Sequence, residues 1–147
     1  MQYIDSNSSI SGAMDIEADN PKGVTDVALA PGVSTGGGAI AKVGQALYTQ
    51  VGDVVTLHAK FLWTPGSTNS EVVFEITAPE RSANFSSADQ GCGTGSCFEV
   101  EVSTNGGYVT VEAVPGSTDL RVTAELRATL TNGANTVDIG VSCSYQV

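Results

Sequence analysis

The segment from Tyr48 to Trp63 constrains this chain most. After a Gly52-Asp53 turn, Val55, Leu57, Ala59, Phe61 and Trp63 fall at every second position. Side chains at that spacing share one face of a β-strand, whereas helical geometry would scatter them. The segment predicts a long, half-buried strand and, with it, a β fold.

The same period recurs downstream. Val72, Phe74 and Ile76 predict a strand from Glu71 to Thr77, ended by Pro79. Residues 80–96, rich in Ser, Asn, Gly and Ala, predict a long loop with Phe85 as its one large apolar side chain. Phe98, Val100 and Val102 are expected inward, with Glu99 and Glu101 facing solvent. Asn105-Gly106-Gly107 is a hairpin signal, because Asn and Gly tolerate positive φ. Val109, Val111 and Ala113 then share a core face. Leu120 to Leu130 alternates apolar and polar without a break. Its Ala-Glu-Leu-Arg-Ala run would suit a helix, but helical spacing would spread the apolar residues all round, so a strand is predicted. Asn132-Gly133 is a second hairpin signal. Val137, Ile139, Val141, Cys143, Tyr145 and Val147 are expected inward on the last strand.

Strands at this spacing, joined by Gly, Pro and Asn turns, predict an all-β domain: an antiparallel β-sandwich or jelly roll. A chain of 147 residues makes one such domain. Residues before about 22 show little periodicity. Val24 to Leu29 reads as a short strand, and Ser34 to Gly38 as a small-residue linker. The expected division is an extended N-terminal arm and linker, 1–38, and a β domain, 39–147.

Charge excludes some functions. Six Lys and Arg face sixteen Asp and Glu, a formal net charge of −10. The basic residues Lys22, Lys42, Lys60, Arg81, Arg121 and Arg127 are scattered. Such a chain repels phosphate backbones and anionic lipid, so neither nucleic acid nor membrane is expected as a partner. No apolar run approaches the eighteen or so residues that span a bilayer, and Met1-Gln2-Tyr3-Ile4-Asp5 lacks the features of a secretory signal. Synthesis in a cytosol is expected. Cys92, Cys97 and Cys143 make an odd count, and free thiols are expected there; pairing of Cys92 with Cys97 across Gly-Thr-Gly-Ser is the alternative.

Residues that carry chemistry are sparse. The single His58 lies on a strand with no G-x-S-x-G turn in the chain, so a solvated strand histidine is expected. His58 and the three cysteines fall on unlike faces for a zinc site. Asp15-x-Glu17-x-Asp19 lacks the Gly and the bidentate Glu of a calcium loop. The glycines of Gly91 to Gly95 precede no helix that would favour phosphate. Glu99 and Glu101 share a strand face without anything to mark them as an acid and base pair. No enzyme activity, cofactor or metal is expected. Val54, Leu62, Val73 and Val114 lie on the outward faces. They are either ordinary scattered surface residues or part of a second packed face that a symmetric oligomer would supply.

Four segments, in order, resemble a known domain. Tyr48-x-x-Val51-Gly52-Asp53-Val54-Val55-Thr56-Leu57 resembles the opening strand of a domain at the C-termini of tailed-bacteriophage tail-fibre and other virion proteins. Glu71 to Pro79 resembles that domain's apolar strand ending in Pro. Ser82-Ala83-Asn84-Phe85 resembles its following loop, with Gly91 to Gly95 as the glycine stretch after it. Val141 to Val147 resembles its closing strand, with Tyr145 as the aromatic. The resemblance covers residues 45–147. Gln50 departs from it, since the family often has Arg there.

The resemblance implies a trimeric β-sandwich domain on the surface of a phage particle. With no shaft repeats or coiled-coil heptads before residue 39, the expected role is a capsid decoration, or cement, protein on the virion, made in the host bacterial cytoplasm. Its expected partners are the major capsid protein and itself, as a homotrimer. Tyr3, Ile4, Ile10, Met14 and Ile16 are the candidates for anchoring the arm. The alternative is a receptor-binding tip or short tail-fibre protein, touching the host surface through Arg81, Asn84 and Asp89.

Overall fold

The computed structural model describes residues 28–147, together with the backbone of 22–26. Among these residues the fold is all-β and antiparallel. The strands are β1 (Lys22–Asp26), β2 (Gly32–Thr35), β3 (Ala39–Lys42), β4 (Leu47–Val51), β5 (Val54–Thr64), β6 (Glu71–Thr77), β7 (Gly91–Glu99), β8 (Gly106–Ala113), β9 (Asp119–Leu126) and β10 (Val137–Gln146). One turn of 3-10 helix, Ala88–Gln90, precedes β7. The strands join in one sheet in the order β1-β4-β5-β10-β7-β8-β9-β6-β2, and β3 pairs separately with β5. The sheet is nearly closed and barrel-like. Lys22–Asp26 and Gly32–Thr35, within the expected arm and linker, pair with β4 and β6.

The alternating residues form the core. Val55, Leu57, Ala59, Phe61 and Trp63 of β5 are buried beside Val72, Phe74 and Ile76 of β6, and beside Leu120, Val122, Ala124 and Leu126 of β9. Phe61 and Phe74 meet edge to face, with ring centroids 5.0 Å apart. Such a pair adds about 1 kcal/mol beyond its buried area. Removing either ring would cost about 3–5 kcal/mol.

The seam of the barrel is closed by glycines. β2 lies along β6 and β3 along β5, joined by Gly36-Gly37-Gly38 at φ of 96°, 67° and 78°. A Cβ on Gly36 would stand 2.4 Å from the Glu71 carbonyl oxygen, and one on Gly38 2.2 Å from that of Thr64. No other residue fits there. The indole Nε1 of Trp63 donates to the Gly37 carbonyl at 2.9 Å, and Asn69 Nδ2 to that of Gly36 at 2.8 Å. The stretch predicted as a linker is therefore a clasp between the two sides of the seam.

Several local expectations are corrected. The loop expected over 80–96 ends at Gln90, and Gly91–Glu99 is β7. Glycine hides this strand from periodicity, because it has no side chain to alternate. Gly91, Gly93 and Gly95 face the interior, where a Cβ on Gly95 would fall 1.8 Å from the Gly140 carbonyl oxygen. The inward row continues through Cys97 to Glu99, so Phe98 and Val100 point outward and Glu99 is buried, the reverse of expectation. The turn into β8 spans Val100 to Asn105, and Gly106 and Gly107 already belong to the strand. β9 ends at Leu126, leaving Ala128 exposed. Asn132-Gly133 makes no hairpin: β9 pairs with β8 and β6, and β10 with β5 and β7, so this connection crosses the barrel end. Val147 is exposed rather than inward.

Gly38→Ala meets both positive φ and a backbone oxygen, so its expected cost is at least about 2 kcal/mol in urea unfolding. Gly32→Ala, which has open space around it, is expected to stay within about 0.5 kcal/mol of the parent.

Candidate functional site

Residues distant in sequence converge at the Gly91 end of β7. Tyr145 of β10 donates its hydroxyl to the Pro79 carbonyl at 2.7 Å. Its ring meets Phe85 edge to face at 6.2 Å. Arg81 lies over the Phe85 ring, with its guanidinium carbon 4.1 Å from the centroid. The same guanidinium donates to the carbonyls of Ala83 at 2.6 Å, Asn84 at 3.1 Å and Gln146 at 2.5 Å. Tyr48 of β4 donates to Glu80 Oε1 at 2.5 Å. Glu80 holds φ at 64°, unusual for a residue with a side chain. Burial, then the neighbouring Cys143, Tyr48 and Glu80, push the Tyr145 phenol above its ordinary range. It stays a proton donor to Pro79.

The opposite end of β7 is fastened by Glu99. Its carboxylate accepts from Asn105 Nδ2 at 2.7 Å, Thr131 Oγ1 at 2.7 Å, Thr131 N at 3.1 Å and Asn135 Nδ2 at 2.5 Å. Burial raises its pKa, but these donors outweigh that and hold it down at about 2. Asn105 also bonds the backbone of Ala128 and Thr129. The pair staples the β9–β10 crossover to the β7–β8 turn. Glu101 is exposed and caps Thr136, whose backbone N–H, ahead of a smaller opposing effect of burial, lowers its pKa. Both carboxyls are held low, whereas a general acid needs a raised pKa. In sequence, Glu99 sits in Phe-Glu-Val-Glu-Val and looks solvated. Only the polar run Thr131 to Asn135 hinted at a partner.

The outer face is built of small polar groups. Ser144, Ser142 and Gly140 of β10 lie beside Cys92, Thr94 and Ser96 of β7. Tyr108, 54% exposed, and Phe98, 41% exposed, are its large side chains on β8 and β7. His58 is exposed on β5, opposite Ser142. Among the described residues no three His, Cys, Asp or Glu stand close enough to hold a metal ion. Cys92 is exposed while Cys97 and Cys143 are buried, and all three are free thiols. Cys92 and Cys97 lie on opposite faces of one strand and cannot pair. Burial pushes the Cys97 thiol up to about 11 and that of Cys143 to about 12, so neither is a ready nucleophile. Among the described residues no helix is long and apolar enough to cross a membrane.

The other candidates scatter. Tyr3, Ile4, Ile10, Met14 and Ile16 lie outside the described residues. Val54 is exposed at the start of β5 and Leu62 is half-buried eight positions on. Val73 is on β6 and Val114 lies just beyond β8. Arg81 and Asn84 belong to the Tyr145 cluster described above. Asp89 shares a shallow depression of about 390 Å3 with Val54, Gln90 and Ser144, which brings one oligomer-interface candidate beside one receptor-contact candidate. No protein family, curated protein or solved structure shows a significant match to this chain.

Glu99→Gln places an amide N–H against donors and is expected to cost about 1–3 kcal/mol at pH 7. A carboxyl with its pKa lowered on folding contributes its full stability above about pH 5 and loses it as the pH falls towards 2. Melting curves from pH 7 to 2 are expected to fall less steeply for the variant than for the parent. Tyr145→Phe strands the Pro79 carbonyl and is expected to lower stability by about 1–3 kcal/mol.

Proposed function

We propose that this chain is a non-enzymatic structural protein of a bacteriophage particle. It decorates and stabilises the capsid surface as a homotrimer of β domains, and its N-terminal segment binds the major capsid protein. One observation carries this reading. The segments that resemble the virion-surface domain are four short pieces in sequence, yet Tyr48, Pro79, Phe85, Gly91 and Tyr145 gather at one end of the barrel. Tyr145 pairs with both Val55 and Gly91 while bonding Pro79. A shared packing unit explains why such pieces would recur together and in order, where independent short matches would have no reason to converge.

Two further features support a surface role. β1 stands at the end of the ladder. That sheet edge is suited to strand addition by a neighbouring shell protein. The outer face is rich in hydroxyls and glycines, and net charge of −10 keeps copies soluble and apart from nucleic acid. The receptor-tip alternative loses one of its contacts, because the Arg81 guanidinium is occupied by three carbonyls and the Phe85 ring.

Quantitative mass spectrometry of purified particles is the direct test. The expected result is many copies per particle at lattice positions of the shell. Deleting residues 2–20 is expected to abolish capsid binding while leaving the melting temperature of the domain unchanged. A few copies confined to the tail, together with binding of the purified protein to host cells, would replace this reading with a receptor-binding one.

A further inference from the structure

Two unlike patches on the outer face of the sheet are complementary to each other. The first is a shallow hollow of about 270 Å3. Gln45, Leu47, His58, Ala59, Lys60, Gly140 and Val141 line it. It arises because β5 changes partner along one edge. β4 pairs with Val54 to His58, and β3 with Phe61 to Thr64; between them the ladder gives way to a single loop bond, from the Val43 N–H to the Lys60 carbonyl at 2.8 Å. On the other edge Lys60 faces Gly140, which has no side chain to fill the space. An apolar cavity of about 150 Å3 already admits a benzene ring, so this hollow is large enough for an aromatic side chain.

The second patch is a projecting corner. Tyr108 of β8 and Glu125 of β9 are direct cross-strand partners. The Tyr108 hydroxyl donates to Glu125 Oε2 at 2.5 Å. That bond fixes the ring and places a carboxylate at its tip. Phe98 lies diagonally adjacent on β7 and widens the apolar corner.

The charges on the two patches are opposite, and neither is in an ion pair among the described residues. Arg121, the nearest cation on β9, is held by Glu75 at 3.1 Å and Glu112 at 3.4 Å. Lys60 forms no ion pair among the described residues. Within one chain β10 and β7 lie between β5 and β8. Three strand spacings separate Lys60 from Tyr108 by roughly 14 Å, so the patches cannot meet in the same copy.

We propose that the hollow receives the Tyr108–Glu125 corner of a second copy of this chain, with the Glu125 carboxylate against the Lys60 ammonium. The ring leaves water against Leu47 and the bare Gly140 backbone, and the ion pair sets the register. A chain of net charge −10 repels its own copies, so a specific contact has to align one of its few cations with an acid. Each copy has both patches, so in the proposed homotrimer the contact runs head-to-tail round a closed ring. The inference rests on the proposed homotrimer only for the number of copies in that ring.

A charge swap tests the contact. Both side chains stand on the outer face, so melting curves of the variants are expected to match the parent closely. In sedimentation equilibrium, Lys60→Glu and Glu125→Lys are each expected to weaken self-association at least tenfold. The double variant is expected to recover it, and Tyr108→Ala to weaken it without rescue. A parent that stays monomeric at all concentrations would overturn both the contact and the homotrimer. A trimer indifferent to both single reversals would overturn the contact and leave the homotrimer standing. Rescue by the double variant in an assembly of another size would support the contact and overturn the number three.

Discussion

The rest of the structure depends on closing the seam between β5 and β6. These two strands supply the largest core side chains, Phe61, Trp63 and Phe74, and they belong to distant positions in the ladder. Only the β2–Gly36-Gly37-Gly38–β3 clasp and the turn at Pro65-Gly66 bring them together. The Trp63 indole, buried for its apolar area, donates to the clasp at Gly37, so one residue serves core and seam. A buried indole N–H without a partner would cost about 1–3 kcal/mol. Core packing and the glycine turn are thus coupled, and the barrel encloses its core without a metal or a disulfide among the described residues.

The barrel ends are held by different chemistry. At the Gly91 end the fastening is aromatic, with Tyr145, Phe85 and Pro79 packed under the Arg81 guanidinium. At the Glu99 end it is a buried carboxylate surrounded by donors. A buried charge is tolerable when it is well hydrogen-bonded, and four donors from three residues do this here, three on Oε1 and one on Oε2. The consequence is that acid acts on the Glu99 end through the loss of this carboxylate. The first described strand leaves from the ladder edge. A partner seated there would leave the outer face of β5, β10, β7 and β8 free for contacts between copies.

Much of the fold was legible in the sequence, because the period of two is a property of side chains that can be seen. β5, β6, β8 and β10 lie where alternation placed them, and their inward residues are the core. What escaped was local. β7 is built on glycines, which show no period. Phe98 and Glu99 were assigned to the wrong faces because alternation gives a strand two faces without saying which is buried. The inward row of β7 is set by Cys97 and the glycines packed against Cys143, Val109 and Leu120. Glu99 follows that parity into the interior, where Asn105, Thr131 and Asn135 wait. The thiols show the same division: their number was visible, but not that Cys92 and Cys97 occupy opposite faces.

By itself, then, the sequence determined an antiparallel all-β chain, most of its core residues and most of its turns. These follow from spacing and from the φ that Gly, Pro and Asn permit, which are local properties. Tertiary structure alone decided that the strands make one nearly closed sheet, that three glycines clasp its seam, and that Glu99 is buried. It also decided that Lys60 and Glu125 end up as the unlike corners of one face. Each of these depends on which strand lies beside which, and that is settled by the closure of the whole barrel rather than by any segment of the chain.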